Sequence, residues 1–176
     1  LAHAGDPLGL AEAARLDGLA TLLIDMDAFP EAQELFERAL AIGERVLGPD
    51  HPNVARTLGN LAILSMHMGA PGRARALLER VLAIHEAALG PEHPLVADTL
   101  NNLSIFRQVA GEYAEARALA ERALAIKERA VGPDHPDVAG YLNNLANLLE
   151  TTGAHAQARA LHERGLALTE RAFGPD

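Results

Sequence analysis

Gly48-Pro49-Asp50-His51-Pro52 returns as Gly90-Pro91-Glu92-His93-Pro94 and as Gly132-Pro133-Asp134-His135-Pro136, and the sequence ends inside a fourth copy, Gly174-Pro175-Asp176. Each copy starts 42 residues after the last. A fixed period of roughly 20 to 50 residues marks a repeat array, in which each period is one supersecondary unit that buries its apolar face against its neighbours. Counting back one period from His51 sets four units at 9–50, 51–92, 93–134 and 135–176, with residues 1–8 as a short leader.

Inside each unit a second glycine falls at one place, Gly69, Gly111 and Gly153, with Asp27 standing there in the first copy. A glycine between two apolar-periodic runs reads as a left-handed helix stop and a fresh start, so each unit is a helical hairpin. The first helix carries Leu58, Leu61, Ala62 and Ser65, then Leu142, Leu145, Ala146 and Leu149, at the spacing of one buried stripe. The second carries Ala74, Leu77, Leu78, Val81 and Ile84, then Ala116, Leu119, Ala120, Ala123 and Ile126. Small alanines at such crossings let helices approach closely. The pairs Arg75/Glu79, Arg117/Glu121 and Arg159/Glu163, four apart, mark a solvated face. Pro52, Pro94 and Pro136 open helices, where a missing N–H costs nothing.

Composition agrees and narrows the function. In 176 residues, 49% apolar content with only 3% aromatics favours closely packed helices over a sheet. A net charge of −9 argues against nucleic acid or an anionic membrane as partner, since both demand clustered Lys and Arg. Without cysteine there is no disulfide, thiolate zinc site or cysteine nucleophile, and a cytoplasmic location is the expectation. No apolar run approaches the roughly 18 to 20 residues of a membrane span.

Leu100-Asn101-Asn102-Leu103, Gly111-Glu112-Tyr113, Glu115-Ala116 and Arg122-Ala123-Leu124-Ala125-Ile126, closed by Gly132-Pro133-Asp134-His135-Pro136-Asp137-Val138-Ala139, resemble the tetratricopeptide repeat. The likeness is to the 42-residue form found in kinesin light chains and many bacterial proteins, and it runs from residue 9 to 176. Departures include Asp27 for the turn glycine, Pro71 and His155 where Tyr113 stands, and Gly165 for a packing alanine. The resemblance implies an all-α fold, a right-handed superhelical solenoid of four helix-turn-helix hairpins, whose first helices line a concave groove that holds a peptide.

Opposite the buried stripe, the first helices present Ala14, Gly18, Thr21 and Asp25; Arg56, Asn60, Ile63 and His67; Asp98, Asn102, Ile105 and Val109; and Gly140, Asn144, Asn147 and Thr151. Asn60, Asn102 and Asn144 form a ladder at the 42-residue period. Asparagine is a poor helix former, so three at one mid-helix position call for a reason. An amide offers donors and an acceptor, which suits it to hold the backbone of an extended peptide. The resemblance implies that same contact for these three. The other reading, compatible with the first, is that they bond to neighbouring helices and hold the register. Asn101 and Asn143 are weaker candidates, having Asp17 and Gly59 as counterparts. Arg107, on the core stripe, is either partly exposed or reaching a carboxylate.

Catalytic and metal chemistry find no footing. His51, His93 and His135 recur one unit apart, too far to share an ion, and suit helix starts instead. Asp25-Met26-Asp27 reads as a turn, and no phosphate loop, dinucleotide fingerprint or nucleophile elbow is present. The expectation is a non-enzymatic scaffold without cofactor or metal that binds a protein or peptide in its groove. Two alternatives are a sensor array within a larger multidomain signalling ATPase and a self-stacking oligomerisation module. Stacking would use end helices, with Leu161, Leu166, Leu168 and Phe173 expected to form an open stripe on the last one.

Overall fold

The computed structural model describes residues 6–174, which hold eight α-helices and no strand. The chain divides into two compact units, Leu1–Ala88 and Leu89–Asp176, each with two hairpins. The first unit contains α1 (Pro7–Asp25), α2 (Phe29–Leu47), α3 (Pro52–His67) and α4 (Pro71–Leu89). The second contains α5 (Pro94–Val109), α6 (Tyr113–Val131), α7 (Ala139–Thr151), which a 3-10 turn at Pro136–Val138 introduces, and α8 (His155–Phe173). Helix α1 begins at Pro7, inside the stretch read as a leader.

The starts of the four hairpins follow one design. The Nδ1 atoms of His51, His93 and His135 accept the backbone N–H of Asn53, Leu95 and Asp137 at 3.1, 3.2 and 3.2 Å. Each histidine thus satisfies one of the donors that a helix start leaves without a partner, and the proline after it removes another. Asp6 does the same for α1, accepting from Gly9 at 2.9 Å.

The turns within hairpins are Schellman closures. Ala70 N–H donates to Ser65 O at 2.8 Å and Gly69 N–H to Met66 O at 2.9 Å, with Gly69 at φ 70°. Glu112 and Gly111, then Ala154 and Gly153, repeat these bonds on Arg107, Gln108, Leu149 and Glu150. Asp27 closes the first hairpin in the same way at φ 58°, the one non-glycine at positive φ among the described residues. Between hairpins, Gly48 and Gly132 adopt φ 90°, ψ 156° and φ 93°, ψ 149°. That region is essentially closed to any residue with a Cβ.

Packing is set by small residues at the period. Ala32, Ala74, Ala116 and Ala158 are all fully buried on the second helices. In the first unit Phe36 of α2 packs with Ala20, Ala32, Leu61 and Leu64, and Leu58 joins Val54, Ala55, Val81 and Ile84. In the second unit Leu145, Ala146 and Leu149 of α7 meet Ala120 and Ala158. Leu168 is buried with Val138, Ala139 and Leu142, and Leu161 packs beside them half-buried. The open stripe expected on α8 is therefore reduced to Leu166 and Phe173, because the face carrying Leu168 turns into its own hairpin.

A further set of bonds escaped the sequence reading. Arg80 of α4 donates to Pro49 O at 3.0 Å and lies 2.6 Å from Glu44 of α2. Arg164 of α8 repeats this on Pro133 O, at 2.7 Å, and Glu128 of α6, at 2.6 Å. The recurrences Arg38, Arg80, Arg122, Arg164 and Glu44, Glu86, Glu128, Glu170 were the available signal. The arginine ties the second helix of one hairpin to the loop and second helix of the hairpin before it.

Candidate functional site

All sixteen positions read as the face opposite the core stripe are exposed or half-buried. The reason is local: on α3 the core side holds Leu58, Leu61, Ala62 and Ser65, and 3.6 residues per turn carry Arg56, Asn60, Ile63 and His67 to the other side.

In the first unit this face is organised by Asp17, which is 1% exposed on α1. Its Oδ2 accepts from Arg56 and, at 3.3 Å, from Asn60 Nδ2, both on α3. Its Oδ1 is buried with no hydrogen-bond partner, so the carboxylate depends on Arg56 to offset its desolvation. His67 ends the row, its ring stacked on Phe29 at 5.4 Å between centroids. Ile63 stands open between Asn60 and His67.

In the second unit Asn144 Nδ2 donates to Asn101 Oδ1 at 3.1 Å, and Gln108 Nε2 donates to Thr151 Oγ1 at 3.1 Å. Thr151 in turn donates to Asn147 O at 2.8 Å. The Tyr141 hydroxyl donates to Asp98. Burial chiefly, then this bond and the Asp98 and Asp137 charges, push the Tyr141 phenol well above its ordinary range. Lys127 Nζ lies 5.5 Å over the Tyr141 ring and 3.7 Å from Asp137. Asn102 and Ile105 face solvent.

Asn60 and Asn144 thus each commit one N–H to the preceding first helix, 43 residues back, whereas Asn102 stands exposed. Asn101 has a structural role as acceptor for Asn144. Asn143 Oδ1 sits 3.2 Å from His162 Nδ1, and it would meet a Cβ at Gly165 at 3.1 Å. Arg107 is half-buried and reaches the carboxylates of Glu112 and Glu115, so both readings of it hold together. No group of three or more histidines and carboxylates among the described residues is placed to hold a metal ion. No described helix is long and apolar enough to cross a membrane.

The tetratricopeptide repeat profile matches residues 10–87, 60–106 and 96–171, which together span nearly the whole chain. The chain belongs to the tetratricopeptide repeat family. Solved structures agree on this repeat fold. The crystal structure of BtubC (BKLC) from P. vanneervenii superposes with a TM-score of 0.83 at 24% identity, over 93% of this chain and 65% of that one. A Podosopora anserina chain with nearly identical TPR-like repeats, described as of kinesin light chain type, superposes at 0.75 with 28% identity, over 93% and 77%. A point variant of that fungal chain gives 0.77 at 28% identity, over 91% and 76%. This tetratricopeptide chain therefore spans 65% of the BtubC length. No curated protein sequence matches it. The fold class is the all-α repeat solenoid of kinesin-light-chain-like type, and repeats of this family generally mediate protein–protein interaction.

Proposed function

We propose that the chain is a non-catalytic interaction module that holds an extended peptide of a partner protein against the exposed faces of its first helices. The observation that supports this most directly is the ladder's position. Asn60, Asn102 and Asn144 lie at the centre of faces on which no described position is buried. Each side-chain amide has two N–H donors and a carbonyl, so Asn60 and Asn144 can bond a neighbour and still offer a donor and an acceptor to peptide backbone. Arg56, His67 and Asp98 would select side chains, and Ile63, Ile105, Asn147 and Thr151 would complete the contact.

The test is selection of binding peptides from a random library, followed by NMR mapping on the parent and on Asn102→Ala. Asn102 is the informative residue because it is exposed, so its loss leaves the helix pairing intact. The expected result is amide shifts confined to α1, α3, α5 and α7, and at least a tenfold weaker complex for Asn102→Ala at unchanged melting temperature. Shifts confined to the second helices would defeat the proposal.

Self-association is a second reading, favoured by α1. Leu19 and Leu22 are 50% and 61% exposed, whereas their counterparts Leu61 and Leu64 are each 1% exposed against the preceding hairpin. A second copy covering α1 would make the sedimentation coefficient rise with concentration, and Leu22→Glu would abolish the rise. A coefficient independent of concentration removes this reading.

A further inference from the structure

One position of the repeat changes its charge along the chain, holding Ala14 on α1, Arg56 on α3, Asp98 on α5 and Gly140 on α7. In the first unit Arg56 finds its counter-ion within the chain, in the buried Asp17 of α1. In the second unit Asp98 finds none. It is half-buried and accepts the Tyr141 hydroxyl on Oδ1, but it makes no ion pair among the described residues. The other charged side chains of α5 and α7 are Arg107, which is held by Glu112 and Glu115, and the acidic Glu150. Lys127, over the Tyr141 ring, is paired with Asp137 at 3.7 Å. Asp98 is therefore a carboxylate that has lost part of its hydration without gaining a cation in return.

We propose that Asp98 receives a basic side chain, arginine or lysine, of the peptide bound across α5 and α7. The inference rests on the peptide-face reading and adds to it the charge of the ligand at the second unit. Two rungs from α7 to α5 hold the acceptors in place, Tyr141 hydroxyl to Asp98 and, one turn further on, Asn144 Nδ2 to Asn101 Oδ1. Both rungs leave acceptors open, since Asp98 Oδ2 and Asn144 Oδ1 make no hydrogen bond among the described residues. A guanidinium or ammonium group has donors only, which this pair of oxygens matches, and its bond to the carboxylate is charge-assisted. Access is open as well. Gly140, beside Tyr141, is exposed and has nothing within 4 Å of where a Cβ would stand. The net charge of −9 further draws a basic segment toward the chain.

The experiment is NMR titration of the 176-residue chain with acetyl-Gly-Ala-Arg-Ala-Gly-amide and with the same peptide carrying glutamine in place of arginine. Five extended residues reach about 17 Å, enough to cross two packed helices at roughly 8–10 Å each. The expected result is saturable amide shifts on α5 and α7 and about tenfold tighter binding of the arginine peptide. Asp98→Asn keeps an oxygen for the Tyr141 hydroxyl and removes the charge, so the preference disappears while the glutamine peptide binds as before. Should that variant fail to melt cooperatively, Gly140→Arg decides. It supplies a cation from within the chain at the place that Arg56 holds in the first unit, and the preference is lost in the same way. Equal affinity of the parent for the two peptides, with shifts on α5 and α7, overturns this inference and leaves the peptide face standing. A preference that survives in the variant also overturns it. Absence of shifts on both helices with either peptide overturns this inference and the peptide face of the second unit together.

Discussion

Gly132 and Asp27 show what single residues decide here. At φ 93° and ψ 149°, Gly132 occupies a region from which a Cβ is excluded by its own backbone, although nothing lies within 4 Å of where that Cβ would stand. Gly132→Ala is therefore expected to cost about 1–3 kcal/mol through backbone strain alone. Chemical denaturation would show it as a lower midpoint at unchanged slope. Asp27 is the converse case, an L-residue held at φ 58° where the other three hairpins use glycine. Asp27→Gly relieves the Cβ contact but gives the unfolded chain more freedom, leaving a net gain of about 0.5–1 kcal/mol. An unchanged or lower melting temperature would contradict that reading. Both positions were legible in the sequence, because a turn's demand on φ is local and recurs with the period.

Helices add a second layer. Helix α2 carries Gly43 in its interior, where glycine costs about 1 kcal/mol relative to alanine. A cleft beside it accepts a methyl at ordinary contact distance from Val54. Gly43→Ala is thus expected to stabilise the chain by about 1 kcal/mol, measured by the same denaturation curves. Were the mutant less stable, the cleft would have to be tighter than its geometry indicates. Apolar periodicity identified the core sides of α3, α4, α6 and α7, and the 42-residue period carried that assignment to α5 and its exposed Asn102. It misjudged α8, where Leu168 and Leu166 lie two residues apart and so face opposite ways, one into the hairpin and one into solvent.

For the molecule as a whole, the stability curve at high pH reports on one buried group. The Tyr141 phenol has its proton affinity raised by burial and by Asp98, while in the unfolded chain it ionises near its ordinary value of 10.0. Above that value the folded chain binds more protons than the unfolded one, so stability falls as pH rises. Below it the contribution is constant and fully present. Tyr141→Phe is expected to lose about 1 kcal/mol at neutral pH, with its hydrogen bond to Asp98, and to flatten the decline above pH 10. Melting curves between neutral pH and pH 11 for both proteins check this, and parallel declines would mean that another group is responsible.

From sequence alone came the 42-residue period, the hairpins, the histidine and proline that open the second, third and fourth hairpins, the glycine turns and the solvent-facing side of each first helix. These depend on interactions within a few residues, and repetition made each of them visible several times. The tertiary structure alone decided that Asn60 and Asn144 bond to Asp17 and Asn101, that Arg80 and Arg164 clamp the preceding loop, and that Gly43 and Thr57 leave a cleft. Those partners are 31 or 43 residues apart, or lie on three different helices, and which atoms meet is set by how far one helix slides along the next. Packing of buried side chains sets that slide, and the 42-residue recurrence of an arginine and a glutamate marks a repeated pair without saying which atoms meet.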